Sequence, residues 1–94
     1  MNHYGKPDRN QSEIVEALRS VGCTVFISSG MGFGFPDLVV GRAGVNYLIE
    51  VKSDGGKLKE NQEEFHGLWR GQVDTVWNVD EALAVVGLTN ANVD

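Results

Sequence analysis

The sequence predicts an α/β fold in which helices flank one mixed four-stranded sheet, in the order α-β-β-β-α-β-α. Three segments repeat apolar residues with a period of about 3.6, which is typical of helices that pack one face on a core. Four short segments rich in β-branched residues lie between glycines and turn residues, which is typical of strands. With a length of 94 residues, we expect residues 1–94 to form a single stand-alone domain with one modest core.

The first helix follows a polar segment over residues 1–9, which we expect to be a mobile arm. Asn10 and Glu13 have the spacing of a capping box, which predicts that the helix begins there, and Gly22 predicts its end. Between these signals one face of the helix is apolar, formed by Ile14, Val15, Ala17, Leu18 and Val21. Glu13 lies at the edge of that face, where it either caps its own helix or leans over the sheet.

A first strand over residues 24–28 leads into a glycine-rich loop over residues 29–34. The loop contains a Gly-x-Gly pattern, but it runs into Pro36 and a further strand rather than into a helix, which argues against a dinucleotide site. Its glycines could instead let the main chain approach a substrate backbone, with Ser28 and Ser29 as hydrogen-bond donors to phosphate. A flexible loop would explain the same composition.

A β-hairpin is predicted over residues 37–52, with a turn over residues 41–44. Because side chains alternate between the two faces of a strand, Glu50 and Lys52 lie side by side on one face. One interpretation is that these two residues form a solvent-facing pair and that Asp37 closes a Pro-Asp turn. That interpretation does not explain why position 48, on the same face, is apolar.

The register of the hairpin decides how close its acidic residues lie. If positions 41 and 44 are opposite each other, Asp37 faces Leu48 and is diagonal to Glu50. Two carboxylates this close in a largely apolar sheet repel each other, and a shared proton or a shared cation relieves the repulsion. Oxygen ligands favour Mg²⁺ or Mn²⁺, and the lysine two residues further on could neutralise charge that develops on a phosphate.

A second helix is expected over residues 59–70. Phe65 and Trp69 share one side of it, and Leu58 lies just ahead of the helix on the same line. Gln62 lies on the same side, and a glutamine on an apolar stripe requires a polar partner. In a functional interpretation the partner is the catalytic water, Glu13 or Lys52. In the alternative interpretation Gln62 caps the first turn of its own helix.

A fourth strand over residues 73–77 and a last helix complete the predicted order. Asn78 and Glu81 have the spacing of a capping box at the start of that helix. Residues 88–94 are expected to be a frayed tail. Cys23 is the single cysteine, which excludes a disulfide framework and a cysteine zinc site.

The central hairpin carries a motif that resembles the PD-(D/E)XK nuclease superfamily, namely Pro36-Asp37 followed by Glu50-Val51-Lys52. A narrower resemblance, over roughly residues 10–78, is to a stand-alone VRR-NUC (virus-type replication-repair nuclease) domain. The segments that carry it are Gly34-Phe35-Pro36-Asp37-Leu38, Tyr47-Leu48-Ile49-Glu50-Val51-Lys52 and the later Gln62. The resemblance implies a PD-(D/E)XK nuclease-like sandwich.

The resemblance also implies roles for the residues of the site. The metal ligands would be Asp37, Glu50 and the main-chain carbonyl of Val51. Lys52 would act on the nucleophile, and Glu13 and Gln62 would complete the catalytic site. The implied activity is that of a Mg²⁺- or Mn²⁺-dependent endodeoxyribonuclease that hydrolyses phosphodiester bonds in structured or branched DNA, in replication, repair or recombination. An alternative is a catalytically silent nuclease-fold module that binds nucleic acid or a protein partner.

The net charge of −5 is unusual for a DNA-binding protein, because affinity for DNA depends on cations that neutralise phosphates. The charges are unevenly distributed: residues 1–59 carry seven basic and six acidic side chains, whereas residues 60–94 carry one basic and seven acidic. This distribution leaves a mildly basic face near the site. The candidate DNA contacts are Ser28, Ser29, Arg42, Lys57 and Lys59.

We expect a homodimer, because one chain supplies a single catalytic set whereas cutting both strands of a duplex requires two sets related by a two-fold axis. No apolar run approaches the about 20 residues of a membrane span, and the N-terminus has no signal-peptide core. The expected location is therefore intracellular, in the cytoplasm and away from membranes.

Overall fold

The computed structural model describes residues 9–88. Its elements are α1 (Arg9–Ser20), β1 (Thr24–Ile27), β2 (Leu38–Arg42), β3 (Val45–Val51), α2 (Glu60–Leu68), β4 (Asp74–Val76) and α3 (Val79–Val85). This order and the α/β class are those that the sequence predicts. Of the expected mobile arm, residues 1–8 lie outside the described residues, and Arg9 is already the first residue of α1.

The four strands form one mixed sheet in the order β1-β2-β3-β4. Pairing is antiparallel from β1 to β3, whereas β3 and β4 are parallel because α2 crosses over between them. Gln72 extends the parallel edge ahead of β4. Its side-chain oxygen accepts from the Leu48 N–H at 2.7 Å, and its nitrogen donates to the Leu48 carbonyl at 2.8 Å. One side chain thus satisfies both backbone groups of Leu48.

The core lies between the sheet and the helices α1 and α3, which also contact each other. The fully buried residues include Ile14, Leu18, Leu38, Val40 and Ile49. Each side chain of this size contributes about 1.5–3 kcal/mol when it is buried, so these positions dominate the stability of the fold. None of the helices within residues 9–88 is long and apolar enough to cross a membrane.

α2 is attached differently, since it contributes no buried residue. Its Phe65 ring stacks on Trp69 with ring centroids 5.0 Å apart and meets the Phe35 ring edge-on at 5.6 Å. The predicted apolar side of this helix is therefore confirmed. The helix ends at Leu68, two residues earlier than predicted, because Trp69 adopts an extended backbone with ψ of 128°.

The turn between β2 and β3 lies one residue further along the chain than in the predicted register, which pairs positions 41 and 44 around residues 42 and 43. It contains only Ala43 and Gly44, whose φ angles are both positive, at 53° and 80°. This is the geometry of a type I′ turn, whose twist matches that of the strands it joins. Consequently Arg42 pairs directly with Val45, and β2 continues to Arg42 instead of ending before position 41.

The shift of the turn by one residue changes the register of the hairpin. Leu38 pairs with Ile49, and one step further along this register Asp37 lies opposite Glu50. The prediction that Asp37 faces Leu48 is therefore wrong by two residues. The observed register brings the two carboxylates closer together than the predicted one.

The helix ends mostly follow their sequence signals. Gly22 has φ of +95° and ends α1 as predicted. The side chain of Asn78 caps α3 by accepting from the Glu81 N–H at 2.8 Å, as predicted. Leu88 is 6% exposed and belongs to the core, so the prediction of a frayed tail is wrong for this residue. Residues 89–94 lie outside the described part of the chain.

Candidate active site

Two carboxylates stand opposite each other where β2 begins and β3 ends. Each has one oxygen held by the protein: Asp37 Oδ2 accepts from the Val51 N–H at 3.0 Å, and Glu50 Oε2 accepts from Gln62 Nε2 at 3.0 Å. These two bonds fix how both carboxylates are oriented.

Glu50 is almost completely buried, with 1% of its surface exposed, and its other oxygen, Oε1, has no hydrogen-bond partner. Burial, helped by the negative charge of Asp37, raises the pKa of this carboxyl from 4.5 to about 7, while Lys52 acts in the opposite direction. A solvent-facing pair of Glu50 and Lys52 is therefore the wrong interpretation. A buried carboxylate with an unpaired oxygen is costly unless a proton or a cation neutralises it.

Lys52 extends from the same face as Glu50, as predicted. Its Nζ lies 3.5 Å from Glu50 Oε2, and 14% of its side chain is exposed. Its main-chain N–H donates to the Val76 carbonyl at 2.9 Å, which continues the ladder between β3 and β4. The ammonium group is thus held beside the carboxylates while it remains open to the solvent.

Asn10 has a role that the sequence did not indicate. It does not begin α1, which starts one residue earlier, so the predicted cap at this position is wrong. Instead its Nδ2 donates to the Lys52 carbonyl at 2.8 Å and to the Trp77 carbonyl at 3.1 Å. Asn10 therefore ties α1 to the chain at the ends of β3 and β4, at Lys52. The sequence pattern at this position indicates a local helix cap, whereas the side chain makes hydrogen bonds to residues distant in the sequence.

Gln62 combines the two interpretations that the sequence left open. Its Oε1 accepts from the Lys59 N–H at 2.8 Å, which caps α2, while its Nε2 donates to Glu50. The expected partners in the functional interpretation, Glu13 and Lys52, are therefore wrong, and the actual partner is the buried carboxylate. One side chain couples the start of α2 to the site.

A close approach of two main chains brings α2 to this position. Gly34 has φ of +76° and lies against the carbonyl of Asn61, so that a Cβ at position 34 would overlap this oxygen. Any larger residue would push α2, and Gln62 with it, away from Glu50. The glycine that was expected to approach a substrate backbone thus approaches α2.

An open cleft of about 1080 Å³ leads to these groups. Its lining includes Asp37, Glu50, Val51 and Lys52 from the strands, and Lys59 and Gln62 from the start of α2. The α1 side is lined by Arg9, Gln11, Ser12, Glu13, Val15, Glu16 and Arg19. The cleft connects the half-buried Asp37 and the buried Glu50 with solvent.

Glu13 lines the cleft but does not cap α1, since the helix begins four residues before it. Among residues 9–88, no three His, Cys, Asp or Glu side chains are close enough together to hold a metal ion. Glu13 therefore does not form such a group with Asp37 and Glu50 among these residues, and its part in the catalytic site stays a prediction. It is exposed on the α1 wall, facing whatever enters the cleft.

The candidate DNA contacts have different positions. Ser29 and Lys59 line the cleft, and Lys57 is exposed outside its lining. Ser28 is wrong as a phosphate donor, because it is 3% exposed and its hydroxyl donates to the Pro36 carbonyl at 2.8 Å. Arg42 lies at the opposite end of β2 from Asp37, where its Nη1 donates to the Val86 carbonyl at 3.1 Å.

The donor set of the site suits a hard divalent cation. Glu50 Oε1 is buried without a partner, and Asp37 is close enough for the two carboxyls to share a hydrogen bond when one is protonated. The N–H and C=O of one strand residue leave the same edge of the strand, so the Val51 carbonyl points to the Asp37 side as its N–H does. Two carboxylates and a carbonyl are ligands that Mg²⁺ or Mn²⁺ accepts while keeping several waters.

Comparisons with known proteins give one family. The family model described as the VRR-NUC domain matches residues 1–84. A solved structure described as a VRR-NUC domain is 27% identical in sequence and superposes with a TM-score of 0.68, covering 83% of this chain and 90% of that chain. No curated protein matches the sequence.

Proposed function

This chain belongs to the VRR-NUC domain family, whose function is of the nuclease type, and we propose that it is a metal-dependent endonuclease that hydrolyses phosphodiester bonds in structured or branched DNA. The observation that carries the proposal is the buried Glu50, with an unpaired Oε1, beside Asp37 and Lys52 in an open cleft. A fold maintained for structure alone gains nothing from this arrangement, because burying one carboxylate next to another is unfavourable.

The proposed cation is Mg²⁺ or Mn²⁺, held by Asp37, Glu50 Oε1 and the Val51 carbonyl. When bound, such an ion supplies Lewis-acid chemistry: it lowers the pKa of water and neutralises charge on a phosphate. The protein prepares the site by holding the other oxygen of each carboxylate with the Val51 N–H and the Gln62 amide. These bonds leave the remaining oxygens to face the ligand.

Lys52 has the position for two tasks. Its ammonium group, 3.5 Å from Glu50 Oε2 and partly exposed, can orient the attacking water by hydrogen bonding and can stabilise the negative charge that develops on the phosphate. Water attacks the phosphorus, and the bond from phosphorus to the sugar 3′ oxygen breaks. The attacking water gives up a proton and the leaving 3′ oxygen takes one up, so the products are a 5′-phosphate and a 3′-hydroxyl.

The proposed working unit is a homodimer, which would place two sites on the two strands of a duplex. The sheet supplies a candidate interface in an apolar stripe across its three antiparallel strands, formed by Phe26, Val39 and Leu48. Phe26 pairs with Val39 and Val39 with Leu48 in the strand register, so the three lie side by side on the face opposite the core. Phe26 is 63% exposed, so a second copy would have apolar surface to cover.

A panel of labelled linear, nicked, flapped and four-way DNAs, digested with Mg²⁺ and with Mn²⁺, tests the activity. We expect cleavage of at least one branched DNA with either metal, no cleavage in EDTA, and loss of cleavage in Asp37→Asn. DNA binding without metal-dependent cleavage on any member of the panel would instead indicate the silent nuclease-fold module.

A further inference from the structure

Phe33 combines full exposure with an unfavourable backbone conformation. Its side chain is 93% exposed, the highest fraction of any large apolar residue within residues 9–88. Its φ is +59°, between Gly32 at +82° and Gly34 at +76°. Because the Phe35 N–H donates to the Gly32 carbonyl at 3.1 Å, Phe33 takes the first central position of a type I′ turn. That position favours Asn, Asp and Gly, and an aromatic residue there is unusual.

The turn is anchored on both sides, so the exposed ring has a fixed base. Gly34 lies against the main chain of Asn61, and the Phe35 ring meets the Phe65 ring edge-on. Only Phe33 projects from this anchored turn. Strained backbone is maintained where the surrounding structure imposes it, and such residues concentrate at functional sites.

The ring is also close to the catalytic groups. Phe33 lies four positions before Asp37 in the chain, and four extended residue steps span at most about 14 Å. This distance corresponds to about four nucleotide steps along a DNA strand, at about 3.4 Å per step. Ser29, at the start of the same loop, lines the cleft. Phe33 itself does not line the cleft, so the strand that meets the ring is one that leaves the cleft past this loop.

We propose that Phe33 stacks on a nucleobase of the substrate where the base stack is interrupted, and thereby selects branched or partly single-stranded DNA over continuous duplex. The proposal rests on the proposed function of the same site. An aromatic ring gains stacking energy on a base that has lost a neighbour, and apolar side chains are used in this way at distorted base steps. In continuous duplex both faces of each base are already stacked, so the ring gains nothing without breaking the stack.

The test uses variants that remove or keep the aromatic ring without destabilising the fold. Phe33→Asn removes the ring and places a residue that tolerates positive φ, so its melting temperature should equal or exceed that of the wild type. Phe33→Trp keeps a ring. Leu68→Ala is the matched control, because Leu68 is 72% exposed and lies at the far end of α2. Binding is measured with Ca²⁺ in place of Mg²⁺, on a flapped DNA and a linear duplex, with 2-aminopurine at the branch as a stacking probe.

We expect Phe33→Asn to bind the flapped DNA about tenfold more weakly or worse and the duplex within twofold of the wild type. It should also lose the fluorescence change of the probe. Phe33→Trp and the Leu68 control should behave as the wild type.

Equal affinity of Phe33→Asn and wild type for the flapped DNA overturns the inference, as does an equal loss on both DNAs. Conversion of a dimer to a monomer by Phe33→Asn, with no change at the probe, would assign the ring to a second copy of the chain. Cleavage by the wild type together with unchanged binding by Phe33→Asn defeats this inference alone, whereas a wild type that neither binds nor cuts DNA defeats the proposed function as well.

Discussion

Replacing Glu50 with Gln should stabilise the metal-free protein above pH 7 and leave its stability nearly unchanged near pH 4. In the wild type the folded pKa of Glu50 is about 7, whereas the ordinary value is 4.5. The folded state therefore binds more protons than the unfolded state between these two pH values, and stability falls as the pH rises from about 4.5 to 7. The difference between these two pKa values corresponds to about 3 kcal/mol.

The amide of Glu50→Gln keeps the shape of the side chain without the charge. Its oxygen can accept from Gln62, and its nitrogen can donate to Asp37, which replaces two facing carboxylates with a hydrogen bond. Lys52 loses its ion pair, which subtracts about 1 kcal/mol at most for a pair this close to solvent. The expected gain at pH 8 is therefore about 2–3 kcal/mol, or at least about 8 °C in melting temperature for a domain of this size.

Urea unfolding from pH 4 to pH 8 in EDTA measures this difference directly. The exposed Glu64→Gln is the matched control and should follow the wild type at every pH. Saturating Mn²⁺ should restore about 2–3 kcal/mol to the wild type at pH 8, as expected at about a hundred times the dissociation constant, and should leave Glu50→Gln unchanged. If the free energies of unfolding of the wild type and Glu50→Gln differ by a constant amount across this pH range, the reasoning about a buried carboxylate repelled by its neighbour is refuted.

Three further substitutions separate the other roles in the site. Lys52→Met should slow cleavage by about 10²–10³-fold. Its Mn²⁺ affinity in calorimetry should be kept or raised, because a competing cation has gone. Cleavage at the wild-type rate would show that the lysine takes no part in the reaction. Asn10→Ala should lower the free energy of unfolding by about 2 kcal/mol, because two carbonyls lose their donor. An unchanged urea unfolding curve would show that the two bonds from Asn10 contribute nothing to stability. Gln62→Glu keeps the acceptor for the Lys59 N–H but places a second carboxyl against Glu50. The helical signal in circular dichroism should therefore be unchanged, while cleavage falls at least tenfold. Equal loss of helicity and of activity would assign Gln62 to capping alone.

The sequence predicts the faces of the hairpin correctly because alternation along a strand is a property of the backbone itself. It predicts the wrong register because the turn lacks the expected signal. A type I′ turn favours Asn-Gly, and here Ala43 takes the left-handed position. With glycines at both 41 and 44, pairing these two positions was the natural interpretation, and only the three-dimensional structure places Asp37 opposite Glu50.

The side-chain partners were beyond local pattern reading for a common reason. Asn10 and Ser28 both have plausible local roles, yet each bonds to carbonyls that are distant in sequence. Gln62 is similar, since its bond to Glu50 depends on how closely Gly34 lets α2 approach. The acidic pair and its lysine could be found from spacing, whereas the bonds that orient them depend on the packing of whole elements.

The central claim is that Asp37 and Glu50 together hold a divalent cation at which DNA is cut. Isothermal titration of Mn²⁺ into the wild type and Asp37→Ala at pH 8 tests it most directly, because it requires no knowledge of the preferred DNA. We expect saturable binding of Mn²⁺ to the wild type and a loss of at least tenfold in affinity for Asp37→Ala, with a melting temperature in EDTA equal to or above that of the wild type. Equal Mn²⁺ affinity in the two proteins would contradict the assignment of the metal site.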